Sequence, residues 1–330
     1  MERKKINTLI LSAGRRVELT KLFKEALHEL NIQGKIIAVD IADTAPALRF
    51  ADKYYIISKI ESKDYIKNII DICLKENIDL IVPTIDTELL KLAENKEKIE
   101  NLTKAKINIS SLEVIQICRD KLKSQEFFEK NNFGVPKLIT EKAIKENNIK
   151  FPLFIKPFNG SSSINTFKVK NKEELIFFKN YVSQPIIQEF IEGEEYTVDV
   201  FLDFESNPIT IVPRQRLATR SGEISKGLIV KNRKIIEDVK KVVHVLKLVG
   251  HITIQCMDTK DGIKYLEINP RFGGGAPMSI SAGANSCVNL YKLILGERLI
   301  YTEDYKDNLL CVRYDETLYI DNNKREVLNV

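Results

Sequence analysis

The chain has 330 residues, 44% hydrophobic and 29% charged, enough for two or three domains with real cores. Its formal net charge of +5 is modest, and no basic block carries interleaved aromatics, which sets nucleic acid aside as a partner. No apolar run is long enough to cross a bilayer, and the short one inside Met1–Gly14 stops at Arg15 and Arg16, as a buried strand does and a signal peptide does not. In chain order, Ile6–Ser12, Lys35–Val39, Tyr54–Ile57 and Leu80–Pro83 are apolar runs of strand length. Val17–Leu30, Lys63–Lys75 and Thr87–Ile99 space their apolar residues by three and four, as amphipathic helices do. This alternation predicts a parallel sheet with right-handed crossovers, an α/β domain over residues 1–108.

From Asp120 the pattern changes. A helix over Asp120–Asn131 is broken at Gly134 and Pro136. Strands at Leu153–Pro157 and Asn165–Lys170 flank NGSSS (Asn159–Ser163), and a helix over Lys172–Val182 leads to a strand over Pro185–Phe190. Residues 109–190 thus read as a small α+β unit. Residues 191–330 are strand-rich up to a helix at Lys231–Leu248. Ile252–Met257 and Ile263–Ile268 then form a hairpin about DTKDG, and a helix at Asn289–Leu295 precedes a mixed tail. Five dispersed cysteines (Cys73, Cys118, Cys256, Cys287, Cys311) without a CxxC pair suit reduced thiols in a cytoplasmic protein.

The chemistry concentrates in YLEINPRFGGG (Tyr265–Gly275). Strand residues two apart share a face, so Glu267 and Asn269 point together, and the hairpin register sets Gln255 opposite Glu267. Three oxygen donors with one charge suit Mg2+, which keeps waters and takes further ligands from substrate phosphates. A polar sheet face against solvent is the alternative. Gly273–Gly275 remove side chains where something approaches the backbone closely or the chain turns sharply. Arg271 beside them is a two-pronged donor for a phosphate or carboxylate, or else a surface ion pair. In FIKPFNGSSS, Lys156 ends an apolar strand, where a buried ammonium needs an anionic partner. Asn159–Ser163 suit a flap whose N–H groups cover a polyphosphate, or a linker; the Walker pattern GxxxxGK(S/T) is absent.

RDKLKSQEFFEKNNFGVP, FPLFIKPFNGSSS, IIQEFIEGEEYTVDVF and YLEINPRFGGG occur in the order and spacing of the ATP-grasp superfamily. Together they most resemble the carbamoyl phosphate synthetase large-chain subgroup and single-unit ligases such as the amide-forming ligase of pyrrolysine synthesis. The resemblance spans roughly residues 108–290. It implies an N-terminal parallel α/β (pre-ATP-grasp) domain, 1–108, then a two-lobed ATP-grasp fold: a small lobe with a lid loop, 109–190, and a large lobe with the magnesium and substrate site, 191–330. It implies further that Lys121 and Lys156 contact ATP phosphates, with Gly160, Ser161, Ser162 and Ser163 in the lid. Adenine would lie against Gln188, Glu189, Phe190 and Ile191, and Glu195 would hold the ribose. Gln255, Glu267 and Asn269 would bind magnesium, or manganese in its place. Arg271 would face the transferred phosphate and an acyl phosphate sheltered by the glycines. Many relatives carry an acid where Gln255 stands, which implies weaker metal occupancy there.

The implied activity is ATP-dependent carboxylate–amine ligation through an acyl phosphate, releasing ADP and phosphate. Such chemistry rests on positioning and charge stabilisation, and no Ser/His/Asp set is evident with three histidines (His28, His244, His251). Cys287 reads as a packing residue. With one grasp unit and no amidotransferase segment, carbamoyl phosphate synthesis itself is set aside. Arg214, Arg216, Arg220 and Lys226 in VPRQRLATRSGEISKGL form a loop-like cationic stretch. It is expected to receive an acidic substrate, an amino acid or a sugar acid, or the triphosphate, unless it is only a solvated loop. Arg15 and Arg16 in SAGRR follow the first strand, where helix N-termini bind anions; they hold a substrate carboxylate or simply form a turn. Two other classes compete. A nicotinamide-dependent enzyme is one, since LILSAGRR with Asp40 resembles a dinucleotide fold, although GxGxxG is missing. A non-catalytic ATP-binding switch is the other. The expected partners are small-molecule carboxylates and amines, with no nucleic acid or membrane; a homodimer is left open.

Overall fold

The structure is a computed structural model that describes residues 4–158, 164–321 and 326–328. The expected lid, Asn159–Ser163 with Gly160, Ser161, Ser162 and Ser163, lies outside the described residues. The first unit runs β1 (Thr8–Ile10), α1 (Val17–Glu29), β2 (Ile36–Asp40), β3 (Lys53–Ile56), α2 (Tyr65–Glu76), β4 (Leu80–Val82), α3 (Asp86–Glu94), α4 (Lys96–Thr103) and β5 (Lys106–Ile107). Its sheet is parallel throughout, in the order β3-β2-β1-β4-β5. Every residue of β1 and β4 is buried, which explains why these strands read as unbroken apolar runs without alternation.

The single helix expected over 87–99 is two helices, α3 and α4, that meet at Asn95. Asn95 Nδ2 donates to Lys91 O at 2.9 Å, and this local bond competes with helix continuation. Asp40 is no ribose-binding acid: its carboxylate accepts from Gly14 N at 2.8 Å and Ala42 N at 3.0 Å, closing turns of its own unit. The nicotinamide reading loses its second support there.

Next come α5 (Leu112–Arg119), α6 (Lys121–Lys130), α7 (Glu141–Lys145), β6 (Leu153–Pro157), β7 (Phe167–Val169), α8 (Lys172–Tyr181) and β8 (Pro185–Glu189). The three strands form an antiparallel sheet in the order β7-β6-β8. Then β9 (Glu194–Leu202), β10 (Pro208–Arg220), β11 (Glu223–Ile229), α9 (Arg233–Leu246), β12 (Gly250–Thr259), β13 (Gly262–Asn269), α10 (Ala276–Ser281), α11 (Ser286–Ile294) and β14 (Leu309–Val312) follow. Their strands make a six-stranded antiparallel sheet, β13-β12-β9-β10-β11-β14.

The expected hairpin is present in register: Gln255 pairs with Glu267 and Thr253 with Asn269. The loop expected around Arg214–Lys226 is instead the long hairpin β10–β11, turned at Ser221 and Gly222, both at positive φ (51° and 76°). Its arginines alternate as one face of a strand does, a period that their charge disguises. Among the described residues no helix is long and apolar enough to cross a membrane.

One core joins the two ends of the chain. Phe272, inside the glycine motif, packs edge-on against Phe23 of α1 at 5.5 Å and stacks on His251 at 4.4 Å. Thr8 and Tyr291 share a buried hydrogen bond of 2.9 Å. Burying Phe272 contributes roughly 1.5–3 kcal/mol, so the loop is held in place without drawing on Arg271.

Candidate active site

Two cavities of about 650 and 410 Å3 lie side by side and share Lys121, Arg216, Gln255 and Glu267. The smaller has apolar walls, Phe154, Met257 and Leu266, beside the strand end Glu189–Ile191, a shape for a flat ring. Gln188 turns inward there, donating to Gln125 at 3.0 Å, and Glu189 accepts from Lys137 N at 3.0 Å. Glu195 lines the same cavity and lies 3.0 Å from Arg216 Nε.

Asp120 caps α6 by accepting from Leu122 N and Lys123 N, which sets Lys121 at the first helical position. Lys121 Nζ donates to Pro157 O at 2.8 Å, so it lies against the end of β6 that carries Lys156. Burial lowers both ammonium groups; for Lys156, burial and the neighbouring Lys121 outweigh Glu267 and bring it down to about 8.

Glu267 stands where the cavities meet. Asn269 Nδ2 donates to its Oε1 at 3.0 Å. The Gln255 amide satisfies both of its neighbours when its nitrogen donates to the same Oε1 at 2.5 Å and its oxygen accepts from Arg216 at 2.8 Å. That oxygen is therefore engaged by an arginine, and Gln255 is the weakest of the three expected metal ligands. Glu267 Oε2 and Asn269 Oδ1 remain as hard oxygen donors with a single charge, a set that fits Mg2+ only when substrate phosphates complete it. The described residues contain no cluster of three His, Cys, Asp or Glu able to hold a metal by themselves.

The bare backbone of Gly273–Gly275 serves this chain's own arginines. A Cβ on Gly274 would stand 2.7 Å from Arg16 Nη1 and 2.7 Å from Glu223 Oε1. One on Gly275 would stand 2.6 Å from Arg214 Nη2 and 2.7 Å from both Cζ and Nη1, so the guanidinium lies face-on against the backbone. Arg271, next to Gly273, is held by Asp86 at the start of α3, Nε to Oδ2 being 3.1 Å. Glu88, two residues on, is fully buried and accepts from Thr84 N at 2.8 Å and Ile85 N at 3.2 Å. Burial raises its carboxyl, opposed by the hydroxyls of Ser12 and Tyr65.

Of the six cations expected around the substrate, Arg16, Arg214 and Arg216 line the larger cleft. Arg15, Arg220 and Lys226 do not. Register shifts between Arg216 and Ala218 and between Ala218 and Thr219 re-aim the end of β10, so Arg220 leaves the face that Arg214 and Arg216 share. Arg15 and Arg220, with side chains 76% and 75% exposed, meet Asp315 instead. Lys226 is exposed beside the edge strand β14.

Several partners escaped sequence reasoning. Arg214 is 1% exposed and donates to Asp199, itself 2% exposed, from Nε at 3.2 Å and from Nη2 at 3.4 Å. Ser279 also donates to Asp199, and His251 Nε2 lies 3.7 Å away. Burial alone would raise the Asp199 carboxyl, but Arg214, His251 and Ser279 together hold it well below the usual carboxylate range. Arg214 lines the larger cleft, and its buried Nη1 has no hydrogen-bond partner among the described residues. Glu223 is clasped by Arg16 at 3.1 Å and by Arg313 at 3.1 Å, beyond β14.

A cleft between a three-stranded and a six-stranded antiparallel sheet, with two lysines on one wall and a Glu-x-Asn strand end on the other, defines the ATP-grasp class. Residues 118–275 match the ATP-grasp domain family and residues 8–107 the PylC-like N-terminal domain family. The chain thus carries a PylC-like N-terminal domain followed by an ATP-grasp domain. It is 30% identical to D-alanine–D-alanine ligase B of Clostridium perfringens over 178 residues, 46% of this chain and 57% of that protein. The chain thus spans little more than half the length of the curated relatives it matches. Among solved structures it is similar to the N5-carboxyaminoimidazole synthetase of Staphylococcus aureus complexed with ADP (TM-score 0.70, 17% identity, 91% of this chain and 79% of that one). It is also similar to an L-amino acid ligase of Bacillus licheniformis (TM-score 0.69, 16% identity, 92% and 77%). At these identities the structural likenesses establish the fold.

Proposed function

We propose that the chain is an ATP-dependent carboxylate–amine ligase that works through an acyl phosphate and acts in the cytoplasm on small molecules. The observation that carries this reading is the meeting of the two cavities at Glu267: an apolar slot on the lysine side opens into a polar cleft on the arginine side. ATP would lie with adenine in the slot against Glu189–Ile191, its ribose near Glu195 and its phosphates toward Lys121 and Lys156. Glu267 and Asn269, with Gln255 behind them, would hold magnesium, which when bound neutralises charge between the phosphates. Arg271 would face the transferred phosphoryl group, and Arg16 and Arg214 the carboxylate substrate. The ligases among the relatives and neighbours support an amino acid as that substrate.

Hydroxylamine tests the reading. With ATP, magnesium and a panel of amino acids and sugar acids, the protein should yield the hydroxamate of one acid and ADP in equal amount. AMP and pyrophosphate in place of ADP would mean adenylation and would reject the acyl phosphate.

Lys156 supplies a further expectation. Lys156→Ala removes a charge-assisted hydrogen bond of about 1.5–3 kcal/mol and should lower kcat/KM for ATP roughly ten- to more than a hundredfold. Because burial and Lys121 bring its ammonium down to about 8, nucleotide affinity in the wild type should fall as pH rises through that value. Folding stability moves the other way. The unfolded chain keeps this lysine protonated up to about 10.4, so it binds more protons than the fold between those two values, and stability rises with pH there. Calorimetric titration with ATP across that range checks the first trend; an unchanged affinity would remove Lys156 from the phosphate site.

A further inference from the structure

Arg271 Nε and Nη2 both donate to a single oxygen of Asp86, Oδ2. Among the described residues no hydrogen bond reaches the other oxygen, Oδ1, and Asp86 lines the larger cleft. The other carboxylates around this cleft are committed. Glu223 gives one oxygen to Arg16 and the other to Arg313, each at 3.1 Å. Asp199 is buried against Arg214, and Glu267 takes Asn269 and Gln255 on one oxygen while the other is assigned to magnesium in the proposed function. Asp86 is thus the cleft carboxylate with an oxygen to offer, and it stands beside the arginine expected at the acyl phosphate.

We propose that Asp86 receives the amine substrate: Oδ1 binds the ammonium group of the incoming primary amine while Oδ2 keeps Arg271 against the acyl phosphate. The proposal rests on the ligase reading above. Two oxygens of one carboxylate then bring the nucleophile and the phosphate-binding arginine side by side, which a ligase needs for the second half of its reaction. An ammonium must shed two protons to become an amide N–H. Asp86 takes the first before attack and passes it to water. The nitrogen lone pair forms the bond to the acyl carbon, the carbon–oxygen bond to phosphate breaks, and phosphate leaves with that electron pair and the second proton.

Hydroxylamine separates this role from a purely structural one, because near neutral pH it is uncharged and needs no carboxylate to bind or deprotonate it. The full-length wild type and Asp86→Asn are compared with ATP, magnesium and the same acid panel. The acceptor is hydroxylamine in one arm, and in the other the best wild-type amine among methylamine and the standard amino acids. Looser seating of Arg271 should lower hydroxamate formation in Asp86→Asn by up to about tenfold, whereas amide formation should fall by more than about a hundredfold, the range for loss of a general base. Asp86→Glu should return part of the amide-forming rate. Equal losses with both acceptors would overturn the proposal, since Asp86 would then act only through Arg271; so would undiminished amide formation. Absence of hydroxamate with the wild type for every acid would instead reject the ligase reading, and this proposal with it.

Discussion

Glu267→Gln is expected to abolish ADP release and hydroxamate formation together, by at least about a thousandfold, the scale on which removing a preorganised electrostatic partner acts. Glu267 is a carboxylate shared by both cavities, and it interacts electrostatically with Lys121 and Lys156. Glutamine has the same shape but offers no charge to the cation that the phosphates require. Its amide would also present a donor where Asn269 and Gln255 already donate. Loss of both products places Glu267 in the first step, phosphorylation of the carboxylate. Continued ADP release without hydroxamate would place it in the second step and contradict the assignment. An unchanged melting curve of the variant distinguishes lost chemistry from lost structure.

What could be read from the chain follows the range of the interactions involved. The β12–β13 hairpin and the pairing of Gln255 with Glu267 were legible because a five-residue turn signal and a period of two are local. Lys156 stood out for the same reason, as the end of an apolar strand, whereas Lys121 was singled out only by the family resemblance. Gly273–Gly275 announced a close approach but not what approaches. The answer lies 258 positions away for Arg16 and Gly274 (274 − 16), and Asp86 and Arg271 are 185 apart. Such pairings depend on how the PylC-like unit docks on the grasp, through Phe23, Phe272 and Tyr291, which no periodicity encodes. The placement of Arg220 away from the cleft has another origin. A bulge in β10 breaks the alternation that a strand otherwise guarantees, so cations adjacent in the chain part company in space.

Asp199→Ala should be the most destabilising single change in the site, costing about 3–5 kcal/mol, because it leaves a buried guanidinium without its counter-charge. Arg214 is 1% exposed and wedged against Gly275, so its charge is largely shielded from water. Chemical denaturation of Asp199→Ala measures the loss. The double variant Asp199→Ala, Arg214→Met removes both charges and should recover most of it, since an apolar replacement of a buried pair is often close to neutral. A double variant no more stable than the single one would show that the two charges do not stabilise each other. The sign with pH is also set. Because the folded-state pKa of Asp199 is depressed, its contribution is complete above the ordinary carboxylate range and is lost as pH falls below it. The wild type should therefore lose stability in acid more steeply than Asp199→Ala. Activity should not return in the double variant even where stability does, because Arg214, which lines the larger cleft, is gone. That separation of folding from turnover would show that the pair is kept for what Arg214 presents to the cleft, since an apolar pair would serve the core equally well.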